Sequence, residues 1–170
     1  MRTKILFTGF APNLTLRDVR TSLSYLLFPW KWSQIKGGQY TKLAEKKLAS
    51  YFGENYSAVT YDSGRSALYA TLKSLGVGGG DEVLVQAFTC VVVINAIRLA
   101  GATPIYVDID ETYNMDALLI EKNIHSHTKA IIVQHTFGTP AKIESIIAVA
   151  KKHGIAVVED CAHSLGAKFQ

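Results

Sequence analysis

From Gly37 onward, apolar and polar positions alternate between two periods. Residues 40–51 carry apolar side chains at helical spacing, and residues 57–61 read as a strand. A helix over 66–75 is predicted to end in the glycine run 76–80, followed by a strand over 82–86. Further along, the pattern gives a helix over 90–99, a strand over 104–107 and a short helix over 115–121. A strand over 129–134, a helix over 141–153 and a buried strand over 155–158 complete it. Helices and strands in regular alternation, joined by short polar turns, predict an α/β domain with a mainly parallel sheet. No internal repeat or low-complexity linker interrupts the series.

The preceding segment has a different texture. Residues 14–32 mix Arg17, Arg20 and Lys31 with Leu16, Val19, Leu23, Leu26, Leu27, Phe28 and Trp30, and Pro29 breaks the run. Residues 1–35 are therefore read as a basic, apolar arm that packs as a helix on its own domain or on a second subunit. Contact with a membrane surface or another partner is the alternative. The net charge of +4 belongs to this end: up to Lys47 there are nine Lys and Arg against two Asp and Glu, and beyond it nine against twelve. That placement argues against a nucleic-acid-binding face.

With 170 residues, 48% of them hydrophobic, the chain is long and apolar enough for one sizeable core. No apolar run approaches the roughly 20 residues of a membrane span, and no secretory leader is evident. A cytoplasmic protein is expected. Cys90 and Cys161 have neither disulfide-framework nor zinc-knuckle spacing. His125, His127, His153 and His163 lack metal-ligand spacing, so no metal is expected. The glycine run 76–80 follows a helix and precedes a strand, the reverse of a dinucleotide-binding loop, and reads as a helix C-cap.

Ligands of α/β sheets bind beyond the carboxyl ends of the strands, and polar clusters fall there, among them Gln86 to Cys90, Asp108-Ile109-Asp110 and Gln134-His135-Thr136. At Ser63-Gly64-Arg65-Ser66-Ala67-Leu68 a glycine opens a helix. Its free N–H groups suit a phosphate, although such a glycine also serves simple turn geometry. At Glu159-Asp160-Cys161-Ala162-His163-Ser164 acids directly follow an apolar strand. A carboxylate there needs a positive partner, for which a protonated pyridine nitrogen would serve; alternatively Asp160 caps a following helix.

These segments occur in a known order. Lys36-Gly37-Gly38-Gln39-Tyr40 through Phe52-Gly53, the Ser63–Leu68 turn, Phe88-Thr89 with Asn95-Ala96-Ile97, and Gly101-Ala102-Thr103-Pro104 come first. Val107-Asp108-Ile109-Asp110 with Thr112-Tyr113-Asn114, His135-Thr136-Phe137-Gly138, His153-Gly154 and Glu159 through Ala167 follow. Together they resemble the DegT/DnrJ/EryC1/StrS aminotransferases from about Lys36 to the last residue. The resemblance implies that residues 36–170 are the N-terminal part of the large domain of the fold type I transferases that use pyridoxal 5'-phosphate (PLP).

It also implies a function and a site. The family transfers an amino group, typically from glutamate, to the keto group of a nucleotide-linked sugar, with PLP passing through its pyridoxamine form, in amino-sugar and polysaccharide biosynthesis. Members are homodimers. By position, Gly64, Arg65 and Ser66 would hold the cofactor phosphate and Asp160 would face the pyridinium nitrogen. Ala162 would lie against one ring face, Cys90 would stand where an aromatic residue usually stacks on the other, and His163 would replace a glutamine near the phenolic oxygen. Arg65 replaces a usual threonine. The family's Schiff-base lysine lies on a later strand, past Gln170, and Lys168 is too close to Asp160 to take its place. The resemblance therefore implies a fragment, inactive alone and without the smaller C-terminal domain, and no catalytic residue is assigned within it. A sugar dehydratase of the same family, with histidine at the lysine position, or a non-catalytic remnant are the alternatives.

Overall fold

A computed structural model describes residues 14–35 and 38–166. Lys36 and Gly37, at the start of the resemblance, and Ala167, Lys168 and Gln170 lie outside the described residues. The chain divides into two compact units between Thr60 and Tyr61.

In the first unit, helix α1 (Leu16–Leu27) starts from a reciprocal cap. The Asp18 N–H donates to the Thr15 hydroxyl, and the Thr15 N–H donates to the Asp18 carboxylate at 2.8 Å. Pro29 cannot continue a helix and opens a 3-10 turn (Pro29–Gln34), which Trp32 Nε1 ties back to the Tyr25 carbonyl at 2.7 Å. No α1 residue is buried. Helix α2 (Gln39–Phe52) follows. The strand expected over 57–61 does not form: these residues join no β-ladder, and Val59 is exposed. A strand needs a neighbour for its backbone groups, whereas here the Thr60 N–H and hydroxyl both go to the Glu45 carboxylate at 2.9 Å.

The second unit runs α3 (Gly64–Ser74), β1 (Glu82–Gln86), α4 (Val91–Ala100), β2 (Thr103–Val107), α5 (Ala117–Ile120), β3 (Thr128–Gln134), α6 (Ile143–His153) and β4 (Ala156–Asp160). All strand pairs are parallel, in the order β2-β1-β3-β4. Side chains on successive strand positions point to opposite faces, so β1, β3 and β4 each feed two cores. Val83, Val85, Ala130, Ile132, Ala156 and Val158 pack with Leu72 of α3 and with Val93 and Ile97 of α4. Leu84, Val107, Ile131, Val133 and Val157 pack with Ile120 of α5 and Ile146 of α6. The glycine run acts as a cap: Gly76 takes a left-handed φ of 75° while its N–H reaches the Lys73 carbonyl and the Val77 N–H the Leu72 carbonyl.

Beyond the strands, buried polar groups tie neighbouring strand ends together. Gln86, ending β1, donates through Nε2 to the Phe88 carbonyl (2.8 Å), the Tyr113 carbonyl (3.2 Å) and the Thr136 hydroxyl (2.9 Å). Asn114 accepts the Thr136 N–H at 2.8 Å and donates to the Thr139 carbonyl at 3.0 Å. The turn that carries Asn114 is held by Asp110, which accepts from the Thr112 N–H and hydroxyl and pairs with Lys142 Nζ at 3.0 Å. Burial pushes the Asp110 carboxyl up, but the bonds from Thr112 and Lys142 outweigh it and leave the carboxyl below its ordinary value of 3.8.

Two outcomes follow. A folded-state value below the unfolded one means that Asp110 stabilises the fold above 3.8 and loses that contribution as pH falls through the depressed value. The urea midpoint of the wild type should fall on acidification through this window more than that of Asp110→Asn; parallel curves would count against the arrangement. Gly101 ends α4 at φ 95°, and a Cβ there would lie 3.2 Å from the Gly79 nitrogen. Gly101→Ala should lower unfolding free energy by about 1–2 kcal/mol in urea titration, mainly from the left-handed backbone.

Candidate functional site

The strand order turns about β1: the chain passes from β1 outward to β2, then returns to the other side of β1 for β3 and β4. A reversal of this kind opens a crevice beyond the carboxyl ends of the strands. A cavity of about 380 Å³ lies there, lined by the last residues of three strands, Gln86, Gln134 and Asp160. Of the residues expected to bind cofactor, Gly64, Cys90, Asp160, Ala162 and His163 all line it; Arg65 and Ser66 do not.

Strand parity decides which acid enters. Glu159 and Asp160 are adjacent and so face opposite sides of the sheet. Asp160 continues the Ala156 and Val158 side, which packs on α3 and α4. Glu159 continues the Val157 side and meets His135 Nε2 at 3.1 Å. One Asp160 oxygen accepts from Gln134 Nε2 at 3.1 Å and the other from the Ala162 N–H at 3.1 Å. The second bond closes a local turn, and no helix follows among the described residues, so Asp160 is not a helix cap. No cation among the described residues pairs with it.

The start of α3 lines the same cavity as Asp160 through Gly64. Ser63 is the extended N-cap residue, and its hydroxyl takes the Ser66 N–H. The Gly64 and Arg65 N–H groups, in the first turn, have no intrahelical acceptor and remain available to a ligand. Gly64 does not adopt a left-handed φ, and a Cβ there would meet nothing within 4 Å. Within the chain, neither backbone conformation nor packing requires glycine at this position; a group approaching the backbone closely would. The Ser66 hydroxyl lies 2.9 Å from that of Ser63 and helps hold the exposed Asp62 carboxyl below its usual range. The Arg65 side chain is exposed.

Aromatic rings form part of the wall. Phe88, two residues before Cys90, packs edge-on to Phe137, and Phe137 stacks on His163 with centroids 5.9 Å apart and planes 4° from parallel. Phe137 and Tyr113 are the two non-glycine residues with positive φ among those described. Left-handed backbone in aromatic residues is costly, and it is held here by the Gln86, Asn114 and Thr136 bonds.

Sequence reading placed Gln134 among the polar strand ends but gave it no role; its carbonyl accepts from the Thr89 hydroxyl and its amide reaches Asp160. It also missed the His135–Glu159 pair, which Cys161 joins within 4.8 Å. His135 Nδ1 accepts the Ala141 N–H at 3.0 Å, so Nε2 carries the hydrogen given to Glu159. Burial pushes the Cys161 thiol up. These groups are thus arranged as a hydrogen-bonded pair beside the Cys161 thiol; strand parity parts Glu159 from Asp160, but the pairing with His135 shows only in the fold. Of the remaining histidines, His125 pairs with Glu82 at 2.8 Å and His153 with Glu121 at 3.1 Å.

The profile of the DegT/DnrJ/EryC1/StrS aminotransferase family matches residues 29–170. The chain is 38% identical over 162 residues to GDP-perosamine synthase of Escherichia coli O157:H7, covering 95% of this chain and 43% of that protein. It is 43% identical over 137 residues to UDP-2-acetamido-2-deoxy-3-oxo-D-glucuronate aminotransferase of Pseudomonas aeruginosa, covering 80% and 38%. Among solved structures, NtdA from Bacillus subtilis with bound cofactor PMP superposes with a TM-score of 0.82 at 30% identity, over 90% of this chain and 35% of that one. The chain thus spans less than half the length of the relatives it matches. Its parallel sheet and flanking helices share the fold type I arrangement of these aminotransferases. The chain belongs to the DegT/DnrJ/EryC1/StrS aminotransferase family.

Proposed function

We propose that this chain is the cofactor-holding part of a PLP-dependent aminotransferase that delivers an amino group, typically from glutamate, to the keto group of a nucleotide-linked sugar. The observation that carries the reading is the shared cavity of Asp160 and the Gly64 helix start. The residues present fit PLP or its pyridoxamine form. A carboxylate with no cation partner among the described residues suits a protonated ring nitrogen, and N–H groups without an intrahelical acceptor beside an otherwise unneeded glycine suit a phosphate. The relatives named above include two enzymes of nucleotide-sugar metabolism and a PMP-bound structure, which supports the substrate class and the cofactor.

In this reading each residue has one task. Gly64 and Arg65 hold the phosphate through backbone N–H groups, with Ser66 beside them. Asp160 keeps the ring nitrogen protonated, Ala162 and Cys90 bound the two ring faces, and His163 stands near the phenolic oxygen. When bound, the cofactor supplies the electron sink and the amino-group carrier that no side chain provides. No lysine lines the cavity among the described residues, and we place the amine the reaction requires past Gln170. We further propose that residues 36–170 belong to the large cofactor-binding domain, with 1–35 as a separate arm, in a cytoplasmic homodimer. No helix among the described residues is long and apolar enough to cross a membrane.

The test is a PLP titration followed by absorbance, with Asp160→Ala and Gly64→Val as variants. Loss of one charge-assisted contact should weaken binding roughly tenfold or more in Asp160→Ala, and a side chain at 64 should crowd the phosphate. Unchanged affinity in both folded variants would remove the basis for the assignment.

A further inference from the structure

We infer that Gln134 is a positioning residue that fixes the orientation of the Asp160 carboxylate toward the cofactor ring, with Thr89 in turn fixing the Gln134 amide; the inference rests on the cofactor reading above. Three observations build it. First, Gln134 and Asp160 are register partners at the ends of the parallel strands β3 and β4, so their side chains leave the same face side by side. That register delivers Gln134 Nε2 to one Asp160 oxygen at 3.1 Å.

Second, the amide can point only one way. A carbonyl facing the carboxylate would be repelled, so the N–H side faces Asp160 and the Oε1 side receives the Thr89 hydroxyl. Hydroxyl to carbonyl and amide to carboxylate form a directional chain whose members polarise one another. The neighbouring strand-end glutamine cannot substitute, because Gln86 Nε2 is spent on the Phe88 and Tyr113 carbonyls and the Thr136 hydroxyl.

Third, the carboxylate needs a second hold. Rotation about the terminal bond of an aspartate is broad, and the Ala162 N–H alone restrains only one oxygen. With Gln134 on the other oxygen both ends are pinned, while each oxygen keeps a lone pair for a donor entering the cavity. A carboxylate aligned before the ring arrives needs no reorganisation when it accepts the ring N–H.

The experiment uses ring-labelled [15N]PLP bound to the protein and to Gln134→Leu, Thr89→Val and Thr89→Ser. It measures dissociation constants, the ring-nitrogen chemical shift and thermal melting. Gln134→Leu should weaken PLP roughly three- to tenfold, the size of one net hydrogen bond, and should move the ring-nitrogen shift toward its unprotonated position. Thr89→Val should act in the same direction but less strongly, and Thr89→Ser, which keeps the hydroxyl, should match wild type. A merely structural defect would lower the melting point or the affinity and leave the nitrogen shift in place. A folded Gln134→Leu with wild-type affinity and shift overturns the inference. Should that variant fail to fold, a folded Thr89→Val indistinguishable from wild type overturns it equally. Failure of the wild-type protein to bind PLP is a different result, which sinks the cofactor reading and this role with it.

Discussion

Two adjacent acids at the end of a parallel strand take their partners from opposite faces of the sheet, because successive side chains leave a strand on alternate sides. Asp160 is half-buried at the end of the edge strand β4, and what it meets is set by the pleat of the sheet. Two consecutive acids on β4 must part to opposite faces, and only one face carries the two helix starts, Gly64 and Val91. The acid on that face is Asp160; the other, Glu159, goes to His135. The site thus depends first on a register, Gln134 beside Asp160 and Val133 beside Glu159, and only then on the chemistry of the side chains.

That register is kept by apolar packing below and polar ties above. The two cores use alternate residues of the same strands, so a one-residue slip of β3 or β4 would exchange the faces of every side chain and bury the wrong acid. Above the strands, Gln86, Asn114 and Asp110 link the ends of β1 and β2 to the loop after β3. The same ties hold Tyr113 and Phe137 in left-handed backbone. Strain of that kind persists only where its surroundings over-determine it, and here the surroundings are the buried Gln86 and Asn114 amides and the Thr136 hydroxyl. The wall of the cavity and the strand ends are therefore one connected structure.

Much of this was legible in the chain. The helices and strands of the second unit follow from hydrophobic period, since long apolar strands such as 129–134 and capped helices such as 64–74 carry strong local signals. Gly64, Cys90, Asp160, Ala162 and His163 were located by their motifs and do share one cavity. The strand over 57–61 was not legible correctly: its alternation is real, but a strand is a relation between segments, and Thr60 is bonded to Glu45 instead. Gln134 was placed at a polar strand end but given no role, for the converse reason. In sequence it is one more polar residue after an apolar run, and only the parallel register with β4 gives it Asp160 as a neighbour.

The central claim concerns one molecule gripped at two ends, and the most direct measurement is a crystal structure of the protein soaked with pyridoxamine phosphate. The account predicts the ring nitrogen within hydrogen-bond distance of the Asp160 carboxylate and the phosphate on the N–H groups of Gly64 and Arg65. Density for the cofactor elsewhere, or a phosphate at the helix start with the ring turned away from Asp160, would contradict it.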